Sequence, residues 1–168
     1  VLGAAMAAAG IRLVYGGGRI GLMGIVADAC LAAGGQVTGI IPHFLHNREL
    51  GHGGATELVH VESMHERKQL MFERSDAFCV LPGGIGTMDE TFEIMTWRQL
   101  TLHDKPIVLV NHKGYWQPFL HLIDRITTEG FSGPGVRGLF TVVENAAAVL
   151  PALVAAGPER VPGQPYRL

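Results

Sequence analysis

Three features of the sequence predict an α/β fold, a doubly wound and mainly parallel sheet with helices on both faces. Short runs rich in β-branched residues alternate with longer stretches of helical pattern. The short runs are apolar almost throughout instead of alternating, as strands buried on both faces are. The chain also carries 23 glycines in 168 residues, well above the average of roughly 7%. They gather at the ends of the apolar runs, where turns and close backbone approaches belong.

The elements follow in order. Residues 1–9 read as a helix that Gly10 ends. Strands are expected at Ile11–Tyr15, Gln36–Ile41, Glu57–Val61, Ala77–Leu81, Pro106–Val110 and Leu139–Val143. Helices are expected near 21–33, 63–74, 87–102, 116–129 and 144–156, with Gly34, Gly130 and Gly157 where helices stop. No linker or repeat interrupts the alternation. The expectation is one domain over residues 1–157 and a loose tail over 158–168.

Composition narrows the function classes. Hydrophobic residues make up 48% and charged residues 17%, which excludes a disordered chain. A formal charge of -2 gives no footing for a nucleic acid or an acidic membrane. No apolar run approaches the roughly 18 residues a membrane helix needs. The start, VLGAAMAAAG, lacks the basic leading region of a signal peptide and reads as a first helix. Cys30 and Cys79 lie inside apolar runs with no Cys-x-x-Cys pair, so buried reduced thiols and a cytoplasmic location are expected.

Two glycine turns fall at the carboxyl ends of strands, the ligand edge of such a sheet. The first, GGGRIGLMG (16–24), places Gly16, Gly18 and Gly21 at Gly-x-Gly-x-x-Gly spacing. A strand–glycine–helix turn aims backbone N–H groups and a helix dipole at an anion. The dinucleotide version also needs an acid at the end of the next strand, but QVTGIIP ends in Pro42. Glycines needed only for tight packing are the competing reading. The second turn lies in VLPGGIGTMDE (80–90). Thr87 has the character of an N-cap, and Glu90 either completes a capping box with it or serves as an acid. Between the turns, SMHERKQLMFERS (63–75) offers a Ser63–Glu66 capping box followed by Arg67 and Lys68. A solvated basic pair is one reading. A clamp on phosphate or carboxylate, which Arg makes with two parallel hydrogen bonds, is the other.

A pyridoxal-phosphate enzyme needs a Schiff-base lysine, and only Lys68, Lys105 and Lys113 exist, none well placed, so no cofactor is expected. His43, His46 and His52 lack a completing ligand set, so no metal is expected. The segment 42–55 reads instead as a flap over the site.

GGGRIGLMG, MHERKQLM, LPGGIGTMDE and TWRQL, in this order and spacing, resemble the LOG (Lonely Guy) family of cytokinin riboside 5'-monophosphate phosphoribohydrolases, some of which carry a lysine decarboxylase label. The resemblance runs from about Ile11 to Phe131 and implies a Rossmann-like, nucleotide-binding fold. It implies hydrolysis of the N-glycosidic bond of an adenosine-type 5'-monophosphate to free base and ribose 5-phosphate. By it, Arg67 and Glu90 are the catalytic pair and Lys68 their basic neighbour. Gly84, Ile85, Gly86 and Thr87 form the phosphate turn. Gly83, Met88 and Asp89 flank that turn, Gly17 and Gly18 belong to the first turn, and Glu49 and Thr96 are further substrate contacts. It also implies a homodimer or larger assembly with TWRQL (96–100) near the interface. Members usually begin with a strand and a Gly-Ser-Ser turn ahead of the helix found here at 1–9. The expectation is therefore a sheet without that first strand. A non-catalytic nucleotide-binding or carrier protein on the same fold is the alternative.

Overall fold

The computed structural model describes residues 1–46 and 51–156 and falls into two compact units, Val1–Asp76 and Ala77–Leu168. Glu49, Gly157 and the tail at 158–168 lie outside the described residues.

The first unit runs α1 (Leu2–Ala8), β1 (Leu13–Tyr15), α2 (Gly21–Ala32), β2 (Val37–Pro42), α3 (His43–His46), β3 (Glu57–Val61), α4 (Met64–Glu73). Its strands pair in parallel in the order β1-β2-β3, with Leu13 beside Val37 and Thr38 beside Glu57. All six residues of β2 are buried, which is what the unbroken apolar run VTGIIP requires. Tyr15, Ala27, Cys30 and Val37 form the core under α2. A Cβ at Gly3 would collide with the Val26 carbonyl, so α1 and α2 touch where side chains are missing.

The second unit runs β4 (Phe78–Val80), α5 (Ile85–Gln99), β5 (Ile107–Val110), α6 (Gln117–Thr128), β6 (Thr141–Val143), α7 (Val149–Ala155). Its parallel order is β4-β5-β6, with Phe78 beside Ile107 and Val108 beside Thr141. β5 is buried at every residue. Around it pack Val80, Met95, Trp116 and Phe140, and the apolar face of α6 supplies Phe119, Leu120 and Ile123.

Parallel strands with helices on both sides are the α/β, Rossmann-like arrangement that the alternation predicts. Among the described residues hydrogen bonding gathers the strands into two sheets of three. Most boundaries move by one or two residues. The larger changes are at helix ends: α5 stops at Gln99, and α7 begins only at Val149, after a 3₁₀ turn at Ala146–Ala148; Leu139 ends a 3₁₀ turn from Pro134, so the last strand is Thr141–Val143. The expected flap contains α3 and an antiparallel bridge between Gly18 and Gly51. Cys79 is exposed on β4, an end strand of its sheet, whereas Cys30 is buried; both are free thiols. Among the described residues no helix is long and apolar enough to cross a membrane.

Four helices end in one hydrogen-bonding pattern. After α2, Gly34 N–H reaches the Leu31 carbonyl (2.9 Å) and Gly35 N–H the Cys30 carbonyl (2.9 Å). The same pair of bonds closes α1 at Gly10 and α6 at Gly130. This Schellman geometry needs a left-handed residue, and the three glycines have φ of +78°, +68° and +81°. At the end of α5 the position is held by Thr101, with φ +60°. Its amide reaches Arg98 (3.0 Å) and the next reaches Trp97 (2.9 Å). A β-branched residue pays about 1–2 kcal/mol for that conformation. Thr101→Gly should therefore stabilise the protein by about 1 kcal/mol, raising Tm by about 2–4 °C in thermal unfolding. An unchanged or lower Tm would show that the strain is absent.

Candidate active site

The first glycine turn closes on the protein itself. Arg67 lies in the first turn of α4, which begins at Ser63. The Ser63 hydroxyl accepts the Glu66 N–H (3.1 Å), and the Glu66 carboxylate accepts the Glu62 N–H (2.8 Å). This start aims Arg67 inward, where it is 6% exposed. Its Nε donates to the Ile40 carbonyl (3.2 Å) and its Nη2 to the Gly16 carbonyl (2.9 Å). One guanidinium thus joins β2 to the turn after β1. A Cβ at Gly16 would collide with Nη2. Gly17 has φ +78°, and a Cβ there would press on Ile41 and the Ile40 amide. Gly24 packs against the Arg19 carbonyl, and Gly21 has φ +64°.

A short strap crosses this turn. Gly18 bridges Gly51, and His52 N–H donates to the Gly17 carbonyl (2.9 Å). The buried His52 ring accepts the Gly54 N–H at Nδ1 (3.2 Å), so Nε2 carries the proton and donates to Asp28 Oδ1 (2.8 Å). His43 and His46 do not turn toward His52: His46 hydrogen-bonds His60 (3.1 Å), and His43 stacks on His60. Among the described residues no group of three His, Cys, Asp or Glu side chains could hold a metal ion. Beside the strap, burial, with the Asp28 charge adding to it, pushes the Tyr15 hydroxyl up to about 12, so it stays protonated at neutral pH.

The second glycine turn is open. α5 begins at Ile85, two residues ahead of the expected start, with Gly84 as N-cap and no side-chain cap. The Met88 N–H, bonded to the Gly84 carbonyl (3.1 Å), makes the first helical bond. The amides of Ile85, Gly86 and Thr87 precede it and have no acceptor within the helix. Thr87 is not the cap, and no Thr87–Glu90 capping box forms at this start: the Thr87 hydroxyl packs against Gly83, where a Cβ would collide with it. Among the described residues a Cβ at Gly84 or Gly86 would meet nothing within 4 Å, and neither residue has a positive φ. Neither packing nor backbone conformation inside the protein explains glycine at these two positions. Ile85 is 85% exposed beside them.

The remaining sequence candidates fall on these frames. Within the first unit, Lys68 is half-buried next to Arg67 on α4, and Gly17 and Gly18 sit under the strap. Within the second, Glu90 is half-buried on α5, one residue past the exposed Asp89. Met88 and Thr96 are exposed on the same helix. Glu49 lies outside the described residues. Two supporting groups were not legible in sequence. Tyr115 donates its hydroxyl to the Gly83 carbonyl (2.8 Å), and His52 latches the strap. Tyr115 is 32 residues from Gly83 and no local motif links them.

The family profile described as "Possible lysine decarboxylase" matches residues 23–153. The chain is 46% identical to the cytokinin riboside 5'-monophosphate phosphoribohydrolase of Rhodococcoides fascians, over 90% of this chain and 77% of that protein. It is 45% identical to the Arabidopsis thaliana phosphoribohydrolase LOG5, over 88% of this chain and 65% of the relative. The probable enzyme LOGL1 of Oryza sativa subsp. japonica is 44% identical, over 89% and 67%. The chain thus spans about two thirds to three quarters of these relatives. Among solved structures, the molybdenum cofactor carrier protein of Chlamydomonas reinhardtii superposes with a TM-score of 0.69 at 19% identity, covering 94% of this chain and 84% of that one, a likeness of fold. The matched motifs, the open turn ahead of Glu90 and relatives at 44–46% identity over nine tenths of the sequence agree: the chain belongs to the LOG family, the cytokinin riboside 5'-monophosphate phosphoribohydrolases.

Proposed function

We propose that this protein hydrolyses the N-glycosidic bond of an adenosine-type nucleoside 5'-monophosphate, releasing free base and ribose 5-phosphate. The observation that carries the reading is the turn at 83–87. Glycine at 84 and 86 serves neither packing against the described residues nor backbone conformation, and three helix-start amides precede the first helical bond. A backbone stripped of side chains beside such amides suits a phosphate, which tolerates no Cβ in its way. The relatives named above carry the same activity in their names.

Water attacks the anomeric carbon as the bond to the base breaks, and the base leaves with a proton. Positive charge builds on the sugar in the transition state, as in glycoside hydrolysis. A carboxylate held beside that carbon stabilises the charge and orients the water. Glu90 takes this role. It follows the phosphate turn on the same helix, so gripping the 5'-phosphate sets the sugar over the helix start. Guanidinium groups do not give up protons at neutral pH, so Arg67 acts as a fixed cation rather than an acid. Lys68 adds charge beside it. The free thiols fit a cytoplasmic protein. Met88, Phe92 and Leu100, all exposed, recur at helical spacing along α5 and its end, the kind of apolar stripe a second copy covers in a homodimer.

The reaction is tested with a nucleotide panel scored for released base. AMP and an isopentenyl-adenine nucleotide should yield base, and the matching nucleosides should react far more slowly. Tight binding with no base release would favour a carrier. Glu90→Gln should lower kcat by about 10²–10⁴-fold with substrate binding largely kept; near-normal turnover would remove Glu90 from the mechanism. Arg67→Lys should lower Tm and turnover together, because an ammonium cannot serve the Gly16 and Ile40 carbonyls as the guanidinium does. Turnover lost with an unchanged Tm would mean that those two bonds do not hold the turn. Light scattering of the purified chain should give twice its mass, and Phe92→Glu should halve it; a monomeric wild type would exclude the α5 contact.

A further inference from the structure

We infer that Tyr115 is a positioning residue for the phosphate turn, and that its hydroxyl sets substrate affinity through the 5'-phosphate. The inference rests on the reading that the turn at 83–87 holds that phosphate.

A turn left open for a ligand has a cost. Gly83 and Gly84 are adjacent glycines, the residues with the most backbone freedom to lose, and no Cβ resists rotation of the peptide between them. At Gly84 no described residue beyond its chain neighbours lies within 4 Å of where a Cβ would stand. The peptide therefore needs a tether from outside the turn. The Tyr115 hydroxyl supplies one, donating to the Gly83 carbonyl at 2.8 Å. In a trans peptide the N–H points opposite to the carbonyl. Pinning the Gly83 oxygen thus also fixes the direction of the Gly84 N–H, the amide just ahead of the three at the helix start. Donation to that oxygen further polarises the peptide and strengthens its N–H as a donor.

Tyr115 is itself rigidly placed. Asn111 Oδ1 accepts the Trp116 N–H (2.7 Å), and Asn111 N–H donates to the Val143 carbonyl (2.7 Å). Between them Lys113 and Gly114 take φ of +52° and +74°, a left-handed pair that turns the chain sharply after β5. The Tyr115 ring meets the buried Trp116 edge-on at 5.1 Å. Tyr115 is 49% exposed, so burial alone does not fix its place.

Tyr115→Phe removes the hydroxyl and keeps the ring. KM for the nucleotide 5'-monophosphate should rise about 3- to 10-fold with kcat nearly unchanged, because the grip on phosphate is shared by ground and transition states. Calorimetry should show ribose 5-phosphate binding weakened by the same factor, while the weak binding of the unphosphorylated nucleoside stays as in wild type. Unchanged affinity for ribose 5-phosphate, or equal losses for the phosphorylated and unphosphorylated ligands, would overturn the inference. Wild-type protein that binds ribose 5-phosphate but releases no base would sink the hydrolase reading alone, and the calorimetric comparison would still decide the role of Tyr115. Wild-type protein that does not bind ribose 5-phosphate would overturn the inference.

Discussion

The buried Arg67 guanidinium is the contact on which the ligand edge of the first unit depends. Taking a cation out of water costs several kcal/mol unless polar partners replace the solvent. Here the carbonyls of Gly16 and Ile40 are among those partners, one in the turn after β1 and one in the neighbouring strand β2. The glycine at 16 follows from this bond, since any side chain there would occupy the guanidinium's place. So does the path of the turn, which leaves Gly16, folds over β2 at Gly17 and receives the strap at Gly18. A residue that the family resemblance marks as catalytic is therefore also a structural tie.

The two glycine turns look alike in sequence and differ in what their glycines do. In the first, Gly16, Gly17 and Gly24 each face a protein atom that a Cβ would strike, and Gly17 and Gly21 have positive φ. Most of that turn is glycine because the protein packs against it. In the second, Gly83 faces Thr87, but Gly84 and Gly86 face open space with ordinary φ. Two such glycines flanking the exposed Ile85 at a helix start, beside amides that precede the first helical bond, leave the backbone there open to approach. Both explanations were open for the first turn, and packing accounts for much of it. In the turn preceding Glu90 packing does not account for Gly84 and Gly86.

The strand and helix alternation was readable because its cause is local. The runs VTGIIP, apolar but for Thr38, and IVLV both prove to be central strands buried at every residue. Glycines at 10, 34 and 130 end helices because a left-handed residue closes the Schellman pattern, a rule that acts within six residues. The Ser63–Glu66 cap was readable for the same reason. Cap propensity alone would start α5 at Thr87, but the helix begins at Ile85 and the Thr87 hydroxyl packs against Gly83.

By itself, then, the sequence determined the α/β class, the order of the elements, the two turns at strand ends and the family, through motifs whose spacing is short. Only the tertiary structure decided which glycines are bare for packing and which for approach. It alone placed Arg67 on the Gly16 and Ile40 carbonyls, His52 on Asp28 and the Tyr115 hydroxyl on Gly83. Those contacts join residues 24 to 51 positions apart. Periodicity and capping rules reach a few residues along the chain, and contacts at that separation exist only once the sheets have brought their strands together.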